Sequence, residues 1–153
     1  MHDAVLAIGP GNTLVLRPAR SDETANILFV PYMQGAITFA QGTGRTRTDR
    51  PRTVASGPFS GCGFAAGTAA NGQDIWGAHI ACDANQDRTG DWASARDVMG
   101  LRVRVDERVN NPIAGEDLSA TFVFMTPTQL IKVQAVNLIS SGATIQRVDV
   151  ENR

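Results

Sequence analysis

Leu130-Ile131-Lys132-Val133-Gln134-Ala135-Val136-Asn137-Leu138-Ile139 decides between a strand-rich chain and a helical one. A helix over 128–139 would place Ile131, Ala135 and Leu138 on an acceptable apolar face. Lys132 and Gln134, however, alternate with Ile131, Val133 and Ala135, which is the period of a strand. Ser140-Ser141-Gly142-Ala143 follows, and then a second strand-like run over 144–150. Small turn-forming residues between two such runs predict a β-hairpin.

The rest of the chain agrees with this reading. Residues 119–125 are rich in Thr, Phe and Val, and 101–105 alternate with Arg102 and Arg104 outward, so both predict strands. Residues 13–17 alternate until Pro18 stops them. The run 26–33 is almost continuously apolar and predicts a strand buried on both faces, with Pro31 at a bulge or an end. Gly35 allows a turn into a strand at 36–40, and 75–81 reads as another strand. Residues 91–99 predict a short helix, started by Gly90 or Asp91 and stopped by Gly100. Together these elements predict one α+β domain over 1–153, two packed mixed β-sheets with a few short helices.

Composition narrows the function. The chain has 153 residues, long enough for a core without disulfide or metal staples. Fourteen basic residues against fifteen acidic ones argue against a polycation for nucleic acid. No apolar run is long enough to span a membrane as a helix. The first ten residues carry no Lys or Arg before a very short apolar stretch, unlike a cleaved signal peptide. Lys132 is the only lysine among the basic residues. Codon bias explains that, as does a demand for bidentate contacts. Four of the arginines fall in 45–52, either a solvated loop or a docking surface for a partner.

The densest chemistry is Ser56-Gly57-Pro58-Phe59-Ser60-Gly61-Cys62-Gly63. Glycines on both sides leave Cys62 little cover and let a substrate approach the backbone. The amides around a thiolate, those of Gly61, Cys62 and Gly63, would then form an oxyanion hole. His79 follows on a predicted strand after the turn dipeptide Asn71-Gly72. Strand, turn and returning strand would bring Cys62 and His79 together as a thiolate–imidazolium pair. The plain alternative is a buried Cys and a satisfied core His. Cys82 is open to the same alternative, and a Cys62–Cys82 disulfide would silence the site. Cys62, His79 and Cys82 do not make a zinc pattern.

Phe59-Ser60-Gly61-Cys62 resembles the Leu-Ser-Gly-Cys motif of bacterial toxin deamidases, the Cys/His glutamine deamidase family of Burkholderia lethal factor 1 and the cytotoxic necrotizing factors. Phe59 stands where the family has Leu, and Pro58 lies between Ser56 and the motif. Upstream, 27–35 is similar to the family's aromatic-Pro-aromatic-x-Gln-Gly segment, with Gln34 as its glutamine. Ser56 stands at the family's Thr position six residues before the Cys. His79-Ile80 is similar to the family's His-Ile dipeptide, with Trp76 nearby. The resemblance covers about 26–82.

It implies a toxin deamidase-like α/β sandwich that converts glutamine to glutamate on a target protein. Cys62, His79 and Ser56 would be catalytic, with Ser56 orienting the imidazole through its carbonyl or its hydroxyl. Arg45, Arg47, Arg50, Gln34 and Trp76 would contact the substrate. No metal or cofactor is implied. The implied setting is a monomeric effector or toxin, made in a bacterial cytoplasm without a cleaved signal and delivered to a target cell. Two other classes fit the residues: a different thiol enzyme (amidase, peptidase or transglutaminase), and a non-catalytic module that binds protein or RNA.

Overall fold

The stretch 130–139 is a strand. In the computed structural model, which describes residues 3–9, 13–23, 25–42, 51–111, 119–139 and 142–153, Gln129–Ile139 pairs antiparallel with Gly142–Asn152. The alternation has a physical use. Ile131 and Val133 pack with Ala55 and Phe124 on one side. On the other, the Lys132 ammonium meets Glu107 at 2.6 Å and Glu151 at 3.3 Å. A helix would have mixed these two sets. The linker residues Ser140 and Ser141 lie outside the described residues.

Thirteen described strands and one helix follow in order: β1 Asp3–Gly9, β2 Thr13–Pro18, β3 Ile27–Pro31, β4 Ile37–Gln41, β5 Thr53–Phe59, β6 Gly63–Thr68, β7 Ile75–Ile80, β8 Cys82–Asp83, β9 Gln86–Asp87, α1 Thr89–Met99, β10 Arg102–Arg108, β11 Ala120–Met125, β12 Gln129–Ile139 and β13 Gly142–Asn152. Seven strands close a barrel in the order β1-β2-β13-β12-β11-β5-β3, and β10-β6-β7-β4 form a second sheet. The apolar start of the chain is a barrel strand, β1. Its neighbour β3 is parallel to β5, with Val30 opposite Ser56. Parallel neighbours need a long connection. Here the chain leaves the barrel after β3, runs through β4 in the other sheet, and returns as β5.

Period 2 sorts the core. Leu28 and Val30 of β3, Val54 and Phe59 of β5, and Val123 and Met125 of β11 point out of the barrel. They meet Phe64 and Ala66 of β6. The alternate residues, Ile27, Ala55, Phe124 and Val133, fill the barrel. Each Val, Leu, Ile, Phe or Met side chain fully buried there contributes roughly 1.5–3 kcal/mol. The far face of the second sheet carries Ala65, Trp76, Ala78 and Ile80, covered by Trp92 of α1. The Trp92 indole N–H bonds Asp106 of β10 at 3.0 Å, and Arg96 of α1 reaches the same carboxylate. Gly100 closes α1 in the left-handed conformation, as expected for that position.

The described fold is therefore mostly sheet, and it differs from expectation in three ways. One sheet curls into a barrel, the second is wholly antiparallel instead of mixed, and the described helices number one instead of a few.

The two layers come close at Gly77 of β7. A Cβ there would lie 2.3 Å from Val54 Cγ1 and 3.0 Å from Val30 Cγ2. Gly77 and His79 are on the same face of β7, so this approach brings the histidine within reach of β5. Gly77→Ala is expected to lower stability by about 1–3 kcal/mol through overpacking. Urea unfolding measures it, and an unchanged midpoint would contradict the close approach.

Candidate active site

His79 is buried between the two layers, and its Nδ1 is 2.8 Å from the Ser56 hydroxyl of β5. Ser56 is also fully buried and donates its only hydroxyl proton to the Val30 carbonyl at 2.6 Å. Nδ1 must then be the donor in the serine–histidine bond, which assigns the Nδ1–H tautomer and leaves a lone pair on Nε2. Nε2 is buried and has no hydrogen-bond partner among the described residues. Two aromatic rings pack against the imidazole. Phe59 stacks on it at 4.1 Å and 8°, and Tyr32 lies tilted at 5.2 Å. Phe59 thus has a specific place against the imidazole. Of the two routes considered for Ser56, its hydroxyl makes the contact.

Burial holds the His79 pKa down to about 4, against a smaller opposing pull from the Asp83 charge. The imidazole is neutral at pH 7, a base with its acceptor nitrogen unoccupied.

Cys62 is aimed by a β-bulge. The Gly61 amide donates to the Val109 carbonyl at 2.8 Å, and the Val109 amide donates to the Cys62 carbonyl at 2.9 Å. Two residues therefore oppose one, and Gly61 has φ +120°. This is a β-bulge with a positive-φ glycine at its first position, a device that redirects a side chain. A Cβ on Gly61 would meet nothing within 4 Å, so it is the dihedral that calls for glycine there. Gly63 pairs with Ile80 and Phe64 with His79. Continuing that register sets Cys62 opposite Ala81, on the same face as His79 and diagonal to it. Diagonal neighbours lie roughly 7–8 Å apart. The half-buried sulfur makes no hydrogen bond to Nε2. Catalytic hydrogen bonds often tighten only in the substrate complex.

The expected thiolate–imidazolium pair does not form. Burial pushes the Cys62 thiol up, with Asp83 adding to it, while a hydrogen bond from the Cys82 backbone and the Arg108 charge pull the other way. Burial disfavours both charges, so the resting site holds a neutral thiol beside a neutral imidazole. Both cysteines are free. The Cys82 thiol is occupied elsewhere, near the Ile80 carbonyl and the Thr89 hydroxyl.

The oxyanion donors also differ from expectation. The Gly61 amide is committed to Val109, and Gly63 lies within β6 between two paired strands, where its amide belongs to the ladder. The Cys62 amide makes no backbone hydrogen bond among the described residues and is the donor that remains.

The other expected site residues scatter. Trp76 points to the opposite face of β7, fully buried against Phe39 and Trp92, with its N–H on the Thr68 carbonyl. Alternation along the strand turns it away from His79, so it offers no surface to a substrate. Gln34 is exposed at the tip of the turn between β3 and β4. Arg45, Arg47 and Arg50 lie outside the described residues. Among the described residues no group of three or more His, Cys, Asp or Glu is placed to hold a metal ion, and no helix is long and apolar enough to cross a membrane.

Asp83 was not anticipated. It accepts from the Tyr32 hydroxyl at 3.2 Å and from the Gly35 amide at 3.0 Å, so it pins the turn that sets Tyr32 against His79. Arg88 clamps the same turn through the Gly35 carbonyl at 2.8 Å. No local pattern joins residues 32 and 83.

Ser56→Ala is expected to leave the buried Nδ1–H without an acceptor, at a cost of roughly 1–3 kcal/mol. Imidazole nitrogen shifts would report loss of the fixed tautomer. An unchanged tautomer and stability would remove Ser56 from the site.

Comparisons with protein-family models, with curated proteins and with solved structures find no match to this chain.

Proposed function

We propose that the chain is a cysteine-dependent protein glutamine deamidase. The observation that carries this reading is the Ser56–His79 hydrogen bond at 2.8 Å, with Nε2 unpartnered on the face shared with Cys62. Ser56, given a role by the resemblance, thereby acquires a physical relation to His79: the hydroxyl six positions before the cysteine fixes the tautomer of the base.

The mechanism follows from the resting charges. Because thiol and imidazole are both neutral, His79 Nε2 takes the Cys62 proton as the sulfur attacks the glutamine carboxamide carbon. This is general-base activation, not attack by a preformed thiolate. The Cys62 amide stabilises the developing oxyanion. The imidazolium then gives its proton to the departing nitrogen, releasing ammonia and leaving a thioester. Water attacks the thioester, its proton passes to Nε2, and collapse yields glutamate and the free thiol. These steps need no cofactor. The substrate is a surface glutamine on another protein, in keeping with an effector or toxin delivered into a target cell.

The test is conversion of glutamine to glutamate in a lysate, mapped by mass spectrometry with wild type and Cys62→Ser. Conversion present only with the wild type supports the proposal. A cleaved chain or a cross-link would point to another thiol enzyme. Absence of any Cys62-dependent product would favour a binding module.

A further inference from the structure

A second site lies at the other end of the space between barrel and sheet. There a cavity of about 630 Å³ opens beside Arg52, Val54, Ile75, Arg104 and Met125. That volume lies within the range of small-molecule sites. Ile75 and His79 are four residues apart on β7, about 13 Å at the usual strand rise, so the cavity is separate from the cysteine site.

Its charge is unbalanced. None of the described residues lining it is acidic. Among the other described arginines, Arg17, Arg88, Arg96, Arg108, Arg147 and Arg153 each form an ion pair with a side-chain carboxylate, whereas Arg20 and Arg102 do not. Arg52 and Arg104 have no ion pair among the described residues. Arg104 is held in place all the same. Its guanidinium donates to the Thr126 carbonyl at 3.2 Å and to the Arg153 carbonyl at 2.9 Å. Both acceptors are main-chain oxygens that orient the guanidinium at the cavity and leave its remaining N–H groups for a ligand. Val54, Ile75 and Met125 supply an apolar wall beside that charge.

From this pairing we infer that the cavity binds a small organic anion, a phosphate or carboxylate carried on an apolar body. The anionic group lies between Arg52 and Arg104, where planar guanidinium forks match its oxygens. The apolar body rests on Val54, Ile75 and Met125. This site is independent of the deamidase reading.

The test is calorimetric titration of the full chain with phenyl phosphate, benzoate and phenol. Saturable one-to-one binding of phenyl phosphate or benzoate, with none of phenol, is expected, and the stronger anion tells phosphate from carboxylate. Arg52→Gln, at an exposed position, is expected to fold normally and weaken binding about tenfold, as the loss of one charge-assisted contact does. Arg104→Gln is expected to do the same, with circular dichroism checking its fold. Absence of saturable binding, equal binding of phenol, or an affinity unchanged in a folded Arg52→Gln would each overturn the site. Because the readout is binding, its failure leaves the Cys62 reaction untouched, and failure of that reaction leaves this site untouched.

Discussion

Exchange of Cys62 for serine is expected to abolish glutamine conversion while the fold stays intact. The bulge that aims residue 62 is made by Gly61 and Val109, and neither hydrogen bond uses the sulfur. Serine preserves nearly the same volume at the edge of the inter-layer core, where Cys62 is only partly buried. A hydroxyl is a far weaker nucleophile than a thiol and here has only a neutral imidazole to activate it. His79→Ala is expected to reduce the rate by about 10²–10⁴-fold, the usual contribution of a positioned general base. Alkylation separates this mechanism from a preformed thiolate. With burial raising the thiol, iodoacetamide labelling of Cys62 in the free protein should climb only above the ordinary thiol range of about 8.5. Rapid labelling at pH 6, lost in His79→Ala, would instead restore the ion pair and refute the neutral resting site.

Acid is expected to destabilise the protein through His79. Its folded pKa is about 4, against about 6.5 in an unfolded chain. Between these values the unfolded state binds more protons, so stability is complete above about pH 6.5 and falls as the pH drops toward 4. The shift corresponds to about 3 kcal/mol. His79→Phe supplies the control. Its ring replaces the imidazole beside Phe59, and Ser56 keeps its bond to the Val30 carbonyl. Carboxylates titrate in both proteins and cancel in the difference. The stability of wild type relative to His79→Phe should fall by about 3 kcal/mol from pH 6.5 to 4, read from urea unfolding. A constant difference would mean that the imidazole is not held neutral by burial, and the general-base role would lose its electrostatic footing.

Much of this protein was legible along the chain because the signals are local. Alternation at Lys132 and Gln134 separated strand from helix, since neighbouring side chains of a strand must face opposite ways. Pro18 and Pro31 marked strand ends and Gly100 a helix end, because each acts through its own backbone. The motif around Cys62 and the strand bearing His79 were visible for the same reason, as was the hydroxyl of Ser56.

Tertiary structure decided what depends on residues distant in sequence. Closure of one sheet into a barrel rests on β1 meeting β3, a pairing that no periodicity encodes. Trp76 was placed beside the site by its nearness to His79, yet strand alternation sends it into the core beneath α1. Asp83 reaches Tyr32 across 51 residues, and no spacing rule connects them. The charge state of the site is the clearest case. Composition identifies a thiol and an imidazole, but their protonation depends on how much water the packed layers exclude. Burial between barrel and sheet leaves both groups neutral, a thiol beside an imidazole where the sequence suggested an ion pair.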